Sequence, residues 1–241
     1  LENAISEKTR MMVFSSPCNP TGSVYTRDEL SAIADVLAKY RNIAAISDEI
    51  YEHINFTGKH HSLAQFPGVK EQVVTVNGVS KAFAMTGWRL GYMGAPQWIA
   101  DACTKMQGQF TSGACSITQR AVITALEADP AVTHDMRQQF LIRRDLVLSR
   151  LNAIEGVKTN IPPGAFYVFP DISSYFGKAS SGKEIKNASD LSMYLLEEAN
   201  VAVVTGAAFG DPNCIRISYA TSEEVLDEAM NRIEKALNQL V

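Results

Sequence analysis

Short apolar runs alternate with longer amphipathic patterns through the first half of the chain. Continuous apolar runs bounded by polar, glycine or proline residues are typical of buried strands, and they occur at residues 10–15, 43–47, 73–76 and 89–95. Between the first two runs, Thr26 and Glu29 have the spacing of a capping box and predict a helix over residues 27–40. Apolar strands that alternate with helices predict an α/β fold, with a mostly parallel sheet and helices on both faces.

The second half of the chain carries a different mixture of elements. In order, the pattern predicts helices at 97–108 and 114–128, a long helix at 131–154, a strand at 164–170, a polar loop at 180–187, a helix at 189–199, strands at 201–204 and 214–219, and a last helix capped by Thr221 and Glu224. We therefore expect a large α/β domain over residues 1–130, a connecting helix over 131–155 and a smaller α+β domain over 156–241.

The composition is that of an ordinary globular protein. The 241 residues are 46% hydrophobic and 20% charged, with a net charge of −4 and a pI near 5.6, so nothing favours a nucleic-acid partner. No apolar run approaches the roughly 18 residues that cross a bilayer, so we expect no membrane partner. The four cysteines have neither C-x-x-C spacing nor a histidine at ligand spacing, which predicts reduced thiols in a cytoplasmic protein and no metal site.

The strongest chemical signal is the string S-K-A-F-A-M-T-G-W-R-L-G-Y, which runs from Ser80 to Tyr92. Lysine forms Schiff bases with carbonyl compounds, and Lys81 follows a buried strand. Ser80 offers a hydroxyl group and Arg89 a charged fork, and the two together are suited to a phosphate group. Taken alone, a lysine at the end of a strand is more often an ordinary loop residue, so both interpretations stand at this point.

Three other short strings lie on predicted strands or directly after them. Asn19 lies in N-P-T-G after the first strand, where a plain turn is the alternative interpretation. Asp48 and Tyr51 lie in S-D-E-I-Y after the second strand. A buried carboxylate there needs a partner, although a helix cap or a surface salt bridge would also explain Asp48. Arg216 interrupts the apolar strand C-I-R-I-S-Y-A, either as an outward-facing edge residue or as a buried residue that binds an anion.

Two neighbouring features of the same region suggest no chemistry from the sequence. Glu49, which follows Asp48 directly, is interpreted as solvent-facing or structural. The adjacent pair His60 and His61 predicts a surface loop, because neighbouring residues rarely face one metal ion.

Together and in this order, the four strings resemble the signatures of the class I aminotransferases of fold type I, which use pyridoxal 5′-phosphate (PLP). The resemblance covers essentially the whole chain. It implies that Lys81 forms the Schiff base with PLP and is the catalytic general base, and that Ser80 and Arg89 bind the cofactor's phosphate. It also implies that Asp48 pairs with the pyridine nitrogen and keeps it protonated, so that the ring acts as an electron sink.

The same resemblance assigns the remaining candidates. Asn19 and Tyr51 would bind the phenolic oxygen O3′ of the cofactor, and Asn19 would also lie in the substrate site. Arg216 would hold the substrate's α-carboxylate by a bidentate pair. One departure from the family's pattern is Thr205, where proline is common, in the loop before the arginine strand.

The choice of substrate rests on a weaker likeness. Residues 107–119 resemble the aspartate aminotransferase branch of the family, which implies transamination between aspartate and 2-oxoglutarate. The alternatives are an alanine, aromatic or kynurenine aminotransferase, a lyase of the same fold, or a non-catalytic relative that senses an amino acid or PLP.

The start of the sequence has no initiating methionine and no pattern that opens a domain. Leu1 precedes what reads as the end of a helix and a loop, and the family's large domain has more strands than the four predicted here. We expect that an N-terminal part of the protein is absent from this chain and that the parent is a homodimer. We also expect the 241 residues alone to have little or no transaminase activity.

Overall fold

The computed structural model describes residues 1–180 and 182–241, which form two compact units. The first unit contains Leu1–Cys18 and Ser23–Asp135, and the second contains Asn19–Gly22 and Met136–Val241. The helix predicted to connect two domains begins in the first unit and continues in the second. The predicted domain limits at residues 130 and 155 remain a prediction.

The first unit is built on a four-stranded mixed sheet. Its strands are β1 (Met11–Ser15), β2 (Ala44–Asp48), β3 (Val73–Gly78) and β4 (Gly91–Gly94). They lie in the order β1-β2-β3-β4, with β1, β2 and β3 parallel and β4 antiparallel to β3. The predicted α/β class with a mostly parallel sheet is therefore confirmed. Because parallel strands point the same way, the segments that follow β1, β2 and β3 leave the sheet at one edge.

Helix α1 (Arg27–Ala38) covers one face of this sheet. Its first turn is the predicted capping box, in which Oγ1 of Thr26 accepts from the backbone N–H of Glu29 at 3.3 Å and the Glu29 carboxylate accepts from the backbone N–H of Thr26 at 2.7 Å. Leu30 and Leu37 are buried on the inner side of the helix, among the residues of the core. Burying one leucine side chain contributes roughly 1.5–3 kcal/mol, so this face fixes the helix on the sheet.

The opposite face has less cover. Met11 and Val13 alternate with the inward-facing residues of β1 and are 55% and 62% exposed. The two helices that follow β4, α2 (Gln97–Phe110) and α3 (Ser116–Leu126), carry large apolar side chains that are also exposed, such as Phe110. These side chains leave an exposed apolar surface on the first unit.

The second unit combines a small antiparallel sheet with helices. Its elements are the end of α4 (Ala131–Ala153), β5 (Tyr167–Val168), β6 (Ala179–Ser180), β7 (Lys183–Glu184), α5 (Ala188–Ala199), β8 (Val204–Thr205), β9 (Ile215–Ser218) and α6 (Glu223–Leu237). The sheet has the order β5-β9-β8, so β9 is its middle strand. Helices α5 and α6 are joined by Tyr194, whose hydroxyl donates to the backbone oxygen of Ala236 at 3.0 Å. This unit is the predicted α+β mixture.

Three local predictions in the second unit were wrong. The predicted polar loop at 180–187 contains the hairpin of β6 and β7, and its residue Ser181 lies outside the described residues. The strand predicted at 201–204 begins only at Val204. The last helix is capped by Ser222, not by Thr221, because the Ser222 hydroxyl accepts from the backbone N–H of Val225 at 3.4 Å. No helix within residues 1–180 and 182–241 has both the length and the apolar character of a membrane span.

Candidate functional site

Three of the predicted site residues lie at the carboxyl ends of the parallel strands in the first unit. Asp48 is the last residue of β2, and Tyr51 is buried in the turn that follows it. Lys81 comes three positions after the end of β3, and its Nζ lies 5.8 Å from the ring centroid of Tyr51. The structure therefore brings the lysine and the tyrosine together at the edge of the sheet where α/β proteins bind ligands.

Asp48 is half-buried and already has one structural bond. Its Oδ1 accepts from the backbone N–H of Ile50 at 3.1 Å, which closes the turn after β2. One carboxylate oxygen thus closes a turn, and because residues 50–53 are a turn, Asp48 is not the helix cap of the alternative interpretation. A carboxylate has acceptor sites on both oxygens, so this bond also leaves capacity for a protonated ligand nitrogen.

Ser80 adjoins Lys81, whereas Arg89 lies further along on an exposed turn. The backbone of Ala84 and of Arg89 is left-handed, with φ of 51° and 54°. Non-glycine residues in this conformation store about 1–2 kcal/mol each, and such strain is often found at functional segments. Nη1 of Arg89 donates to the backbone oxygen of Thr86 at 2.8 Å. The structure places this guanidinium on its own turn, and joint phosphate binding with Ser80 remains a prediction.

A large open cavity of about 1280 Å³ lies beside that turn. Trp88, Arg89 and Tyr92 line it together with residues of α2, with Thr118 of α3 and with Cys115 just before α3. Among the described residues that line it, neither Lys81 nor Asp48 appears. The cavity therefore lies next to Arg89 and is not centred on Lys81.

The two remaining candidates, Asn19 and Arg216, lie together in the second unit. Nη1 of Arg216 donates to Oδ1 of Asn19 at 2.8 Å. The guanidinium carbon also lies 4.6 Å from the ring centroid of Tyr167 and 4.9 Å from that of Phe209, so two aromatic rings flank it. Because β9 is the middle strand, Arg216 is not the edge residue that one interpretation suggested.

The Arg216 side chain has donor capacity beyond these contacts. Its Nε is buried without a hydrogen-bond partner in the described structure, and a guanidinium has five N–H donors in a fixed fork. A buried unsatisfied donor is unfavourable unless a ligand completes it. An anion such as a carboxylate is the ligand that this geometry suits.

Two glycines shape the backbone around Asn19 and Arg216. Gly22 has φ of +69°, and a Cβ atom there would lie 2.3 Å from Cβ of Pro162 and 2.6 Å from the backbone oxygen of Gly164. A Cβ at Gly206 would lie 2.3 Å from the backbone oxygens of Asp211 and Cys214. Both positions exclude any side chain, which holds the N-P-T-G segment and the loop before β9 in their observed paths.

Thr205, where the sequence departs from the family's pattern, begins a short 3-10 helix. Its Oγ1 accepts from the backbone N–H of Ala207 at 3.4 Å and from the hydroxyl of Ser189 at 3.0 Å. The threonine therefore orders this loop through hydrogen bonds, which proline could not do.

Of the two interpretations of Glu49, solvent-facing or structural, the structure contradicts the first and supports the second. The residue is 3% exposed, and its carboxylate binds Ser47, Ser62 and His60, so His60 is not a simple surface-loop residue either. Alternation along β2 was the available signal, because Ser47 and Glu49 fall on the same face of a buried strand end.

Glu52 lies beside this cluster and accepts from Nδ2 of Asn77 at 2.7 Å. Burial raises the pKa of its carboxyl, but contacts with His53, His60 and Asn77 outweigh burial and hold the pKa below its usual value. Glu52 is therefore a charged neighbour of the Glu49 cluster.

Comparison with known proteins gives one consistent result. Residues 1–233 match the family model described as aminotransferase class I and II. A bifunctional aspartate aminotransferase and glutamate/aspartate-prephenate aminotransferase from Petunia hybrida is 50% identical, over 98% of this chain and 50% of its own. A probable aspartate/prephenate aminotransferase from Rickettsia felis is 47% identical, over 100% of this chain and 59% of its own.

Solved structures agree. An aspartate aminotransferase from Rhizobium meliloti matches with a TM-score of 0.95 and 44% identity, over 100% of this chain and 61% of that chain. An aromatic aminotransferase from Pyrococcus horikoshii matches with a TM-score of 0.90 and 41% identity, over 98% and 62%. The chain thus spans between about half and three fifths of the length of these relatives.

Proposed function

The chain belongs to the class I and II aminotransferases, and on that premise we propose that it carries out PLP-dependent transamination between an amino acid and a 2-oxo acid. The observation that carries the proposal is the position of Lys81 after β3, with its amine 5.8 Å from the ring of Tyr51 and Asp48 at the end of the neighbouring strand. The names of the relatives, which are aspartate and aspartate/prephenate aminotransferases, support the same reaction.

The donor groups of the first unit fit PLP chemically. Lys81 supplies an amine for the aldehyde, Asp48 a carboxylate for the pyridine nitrogen and Tyr51 a hydroxyl for the phenolic oxygen. Ser80 and Arg89 supply a hydroxyl and a guanidinium for the phosphate. When bound, PLP supplies an electron sink for the negative charge that develops at the substrate's Cα.

The protein groups then have separate tasks. Once the substrate's amine has displaced it, the Lys81 amine would take the proton from Cα as a general base and would deliver the same proton to C4′ of the cofactor. Asp48, as a carboxylate, keeps its partner nitrogen protonated. Asn19 and Tyr51 donate hydrogen bonds to the phenolic oxygen, and Asn19 also orients Arg216. Arg216 holds the α-carboxylate, which fixes the direction of the Cα–H bond.

We infer aspartate and 2-oxoglutarate as the substrates. Residues 107–119 resemble the aspartate branch, and the relatives carry aspartate in their names. Prephenate is a second candidate acceptor, because it appears in the names of relatives at 46–50% identity. The likeness to an aromatic aminotransferase at 41% identity keeps aromatic substrates as an alternative. A non-catalytic sensor is less well supported, since both Lys81 and Arg216 are present.

We also propose a cytoplasmic homodimer for the full-length protein. The four cysteines are all free, as in proteins of a reducing compartment. The exposed apolar side chains of α2 and α3 are the kind of surface that a subunit contact covers.

The first experiment uses the full-length gene product with PLP. We expect a visible absorbance band that disappears when aspartate is added, with formation of oxaloacetate. Borohydride reduction should attach the phosphopyridoxyl group to Lys81, as located by peptide mass spectrometry, whatever the turnover. Lys81→Ala should abolish the labelling, and Lys70→Ala, at an exposed position, should not. Labelling of another residue, or none, would disprove the assignment. Labelling without oxaloacetate would keep Lys81 and reject aspartate.

A further inference from the structure

Glu49 is a buried carboxylate that the proposed reaction does not use. It follows Asp48 directly, at the carboxyl end of β2, and its backbone N–H donates to the oxygen of Val76 on β3 at 2.9 Å. Side chains alternate along a strand, so those of Ser47 and Glu49 lie on one face and that of Asp48 on the other. The Glu49 side chain therefore lies on the face opposite to that of Asp48, the residue proposed to contact the PLP ring.

Three donors surround the Glu49 carboxylate. Its Oε1 accepts from the hydroxyl of Ser47 at 2.9 Å and from that of Ser62 at 2.7 Å, and its Oε2 lies 2.7 Å from Nε2 of His60. A buried carboxylate without such partners would be strongly unfavourable. Since Ser62 and His60 come from the loop after the turn, the carboxylate ties that loop to the end of β2.

The backbone of Glu49 is also hydrogen-bonded to the turn that contains Tyr51. The backbone oxygen of Glu49 accepts from the N–H of Glu52 at 2.9 Å, and that of Tyr51 accepts from Ile54 at 2.8 Å. Three groups of Glu49 are therefore bonded: its backbone N–H to β3, its carboxylate to the loop, and its backbone oxygen to the turn. Asp48 directly precedes this fixed point, and Tyr51 follows it by two positions.

We propose that Glu49, clamped by Ser47, Ser62 and His60, is a positioning residue that sets the orientation of Asp48 and Tyr51 toward the PLP ring. This inference rests on the proposed function. Loosening the clamp shifts two cofactor contacts at once and leaves Arg216, in the other unit, unchanged. A variant with a loosened clamp should therefore bind the cofactor more weakly and have a lower kcat, with an unchanged KM for the amino acid.

A metal site is the competing assignment for the same residues. Ligand atoms of Glu49, Glu52 and His60 all lie within 4.8 Å of one another. However, each carboxylate already accepts from neutral side chains, Glu49 from two serines and Glu52 from Asn77. We therefore assign the cluster to hydrogen bonding, and EDTA should leave the thermal midpoint of the protein unchanged. A fall in that midpoint, restored by Zn²⁺, would overturn the assignment.

The decisive test compares Glu49→Gln with Glu71→Gln in the full-length gene product, because Glu71 is an exposed glutamate close in sequence. Glutamine offers one acceptor oxygen in place of two, so the contact with His60 is lost or reversed. By analogy with other residues that support a cofactor ligand, we expect Glu49→Gln to raise the PLP Kd and lower kcat by about 10- to 100-fold. The KM for aspartate should change less than about twofold, and Glu71→Gln should resemble the wild type.

His60 provides a second pair of variants in case Glu49→Gln does not fold. His60→Ala removes the donor from the loop, whereas His60→Gln keeps an N–H donor for the Glu49 carboxylate. We expect the alanine variant to show the same loss of PLP affinity and the glutamine variant to recover most of it. Wild-type PLP affinity in Glu49→Gln, or in both His60 variants, would overturn the inference. A wild-type protein that is not labelled at Lys81 would overturn the proposed function and the inference with it.

Discussion

Arg216 and Asn19 are 197 positions apart in the sequence, yet Nη1 of the arginine donates to Oδ1 of the asparagine at 2.8 Å. The amide oxygen of Asn19 faces the guanidinium, so the amide N–H groups remain as donors for a different acceptor. In the proposed function that acceptor is the phenolic oxygen of PLP. One amide would then orient the carboxylate-binding arginine and contact the cofactor.

Replacing Arg216 by lysine tests this geometry. A lysine ammonium is a point charge without the planar fork, so it cannot bind Asn19 and a carboxylate as the guanidinium does. We expect Arg216→Lys to lower kcat/KM for aspartate about 100-fold, or about 2.7 kcal/mol, mainly through KM. Steady-state kinetics with aspartate measure this, and labelling of Lys81 by borohydride should be unchanged.

The matched control is Arg232→Lys, which alters an exposed arginine paired with Glu228 at 2.8 Å. Such surface pairs contribute little, so we expect less than about a twofold change in kcat/KM. Equal kinetics for Arg216→Lys and the wild type would show that the arginine does not bind the substrate.

Gly22→Ala should destabilise the second unit. Its left-handed backbone costs a non-glycine residue about 1–2 kcal/mol. The clash with Pro162 and Gly164 adds about 1–3 kcal/mol of overpacking. Gly58→Ala is the control, because Gly58 has φ of +86° but nothing within 4 Å of a new Cβ. Urea unfolding should show the larger loss for Gly22→Ala. Equal decreases in the free energy of unfolding for the two variants would mean that the backbone near Gly22 moves and relieves the clash.

The cysteines should differ in their reactivity toward iodoacetamide. Backbone N–H groups of Thr118 and then Ile117, at the start of α3, lower the pKa of the exposed Cys115 thiol. Burial, with the nearby Asp211 carboxylate, raises the pKa of the Cys214 thiol to about 12. At pH 8, four pH units lower, only about one Cys214 thiol in ten thousand is ionised, and the thiolate is the form that reacts.

We therefore expect alkylation of Cys115 to be at least about 100-fold faster than that of Cys214. Timed labelling followed by peptide mass spectrometry gives both rates in one sample. The rate at Cys115 should level off at a lower pH than the rate at Cys214. Comparable rates at pH 8 would contradict the described burial of Cys214.

The 241 residues on their own should have little or no transaminase activity. They span between about half and three fifths of the relatives' length, and large apolar side chains such as Phe110 and Ile117 are 80% and 74% exposed. Surfaces of that kind bind another polypeptide or aggregate. Size-exclusion chromatography and an oxaloacetate assay on this chain test the prediction.

The control for that experiment is a chimaera that adds the part of the Rhizobium meliloti enzyme that this chain does not match. It should be active and elute as a discrete species. Turnover by the 241 residues alone would contradict the prediction.

The elements that the sequence predicted well are those whose signals are local. Three apolar runs became β1, β2 and β3, and the Thr26–Glu29 spacing became a capping box. Each depends on residues within a few positions of one another, so the pattern contains the whole cause.

The elements that the sequence did not predict depend on distant partners. Thr221 and Ser222 are both acceptable caps, so the sequence alone does not decide between them, and the structure uses the serine. The strands β6 and β7 are two residues each and form only by pairing. The Glu49 cluster joins β2 to a loop more than ten residues away, which no periodicity reveals. The string from Ser80 to Tyr92, by contrast, pointed to Lys81 directly.

The N-P-T-G segment has a consequence for the connectivity of the chain. Asn19–Gly22 belongs to the second unit although the residues on both sides belong to the first, so the polypeptide passes between the units at three points. A single cut in α4 would therefore not yield two self-sufficient pieces. The piece from Met136 onward would contain Arg216 without Asn19. Dissection, circular permutation or split-protein designs must treat these four residues as an inseparable part of the carboxyl-terminal half.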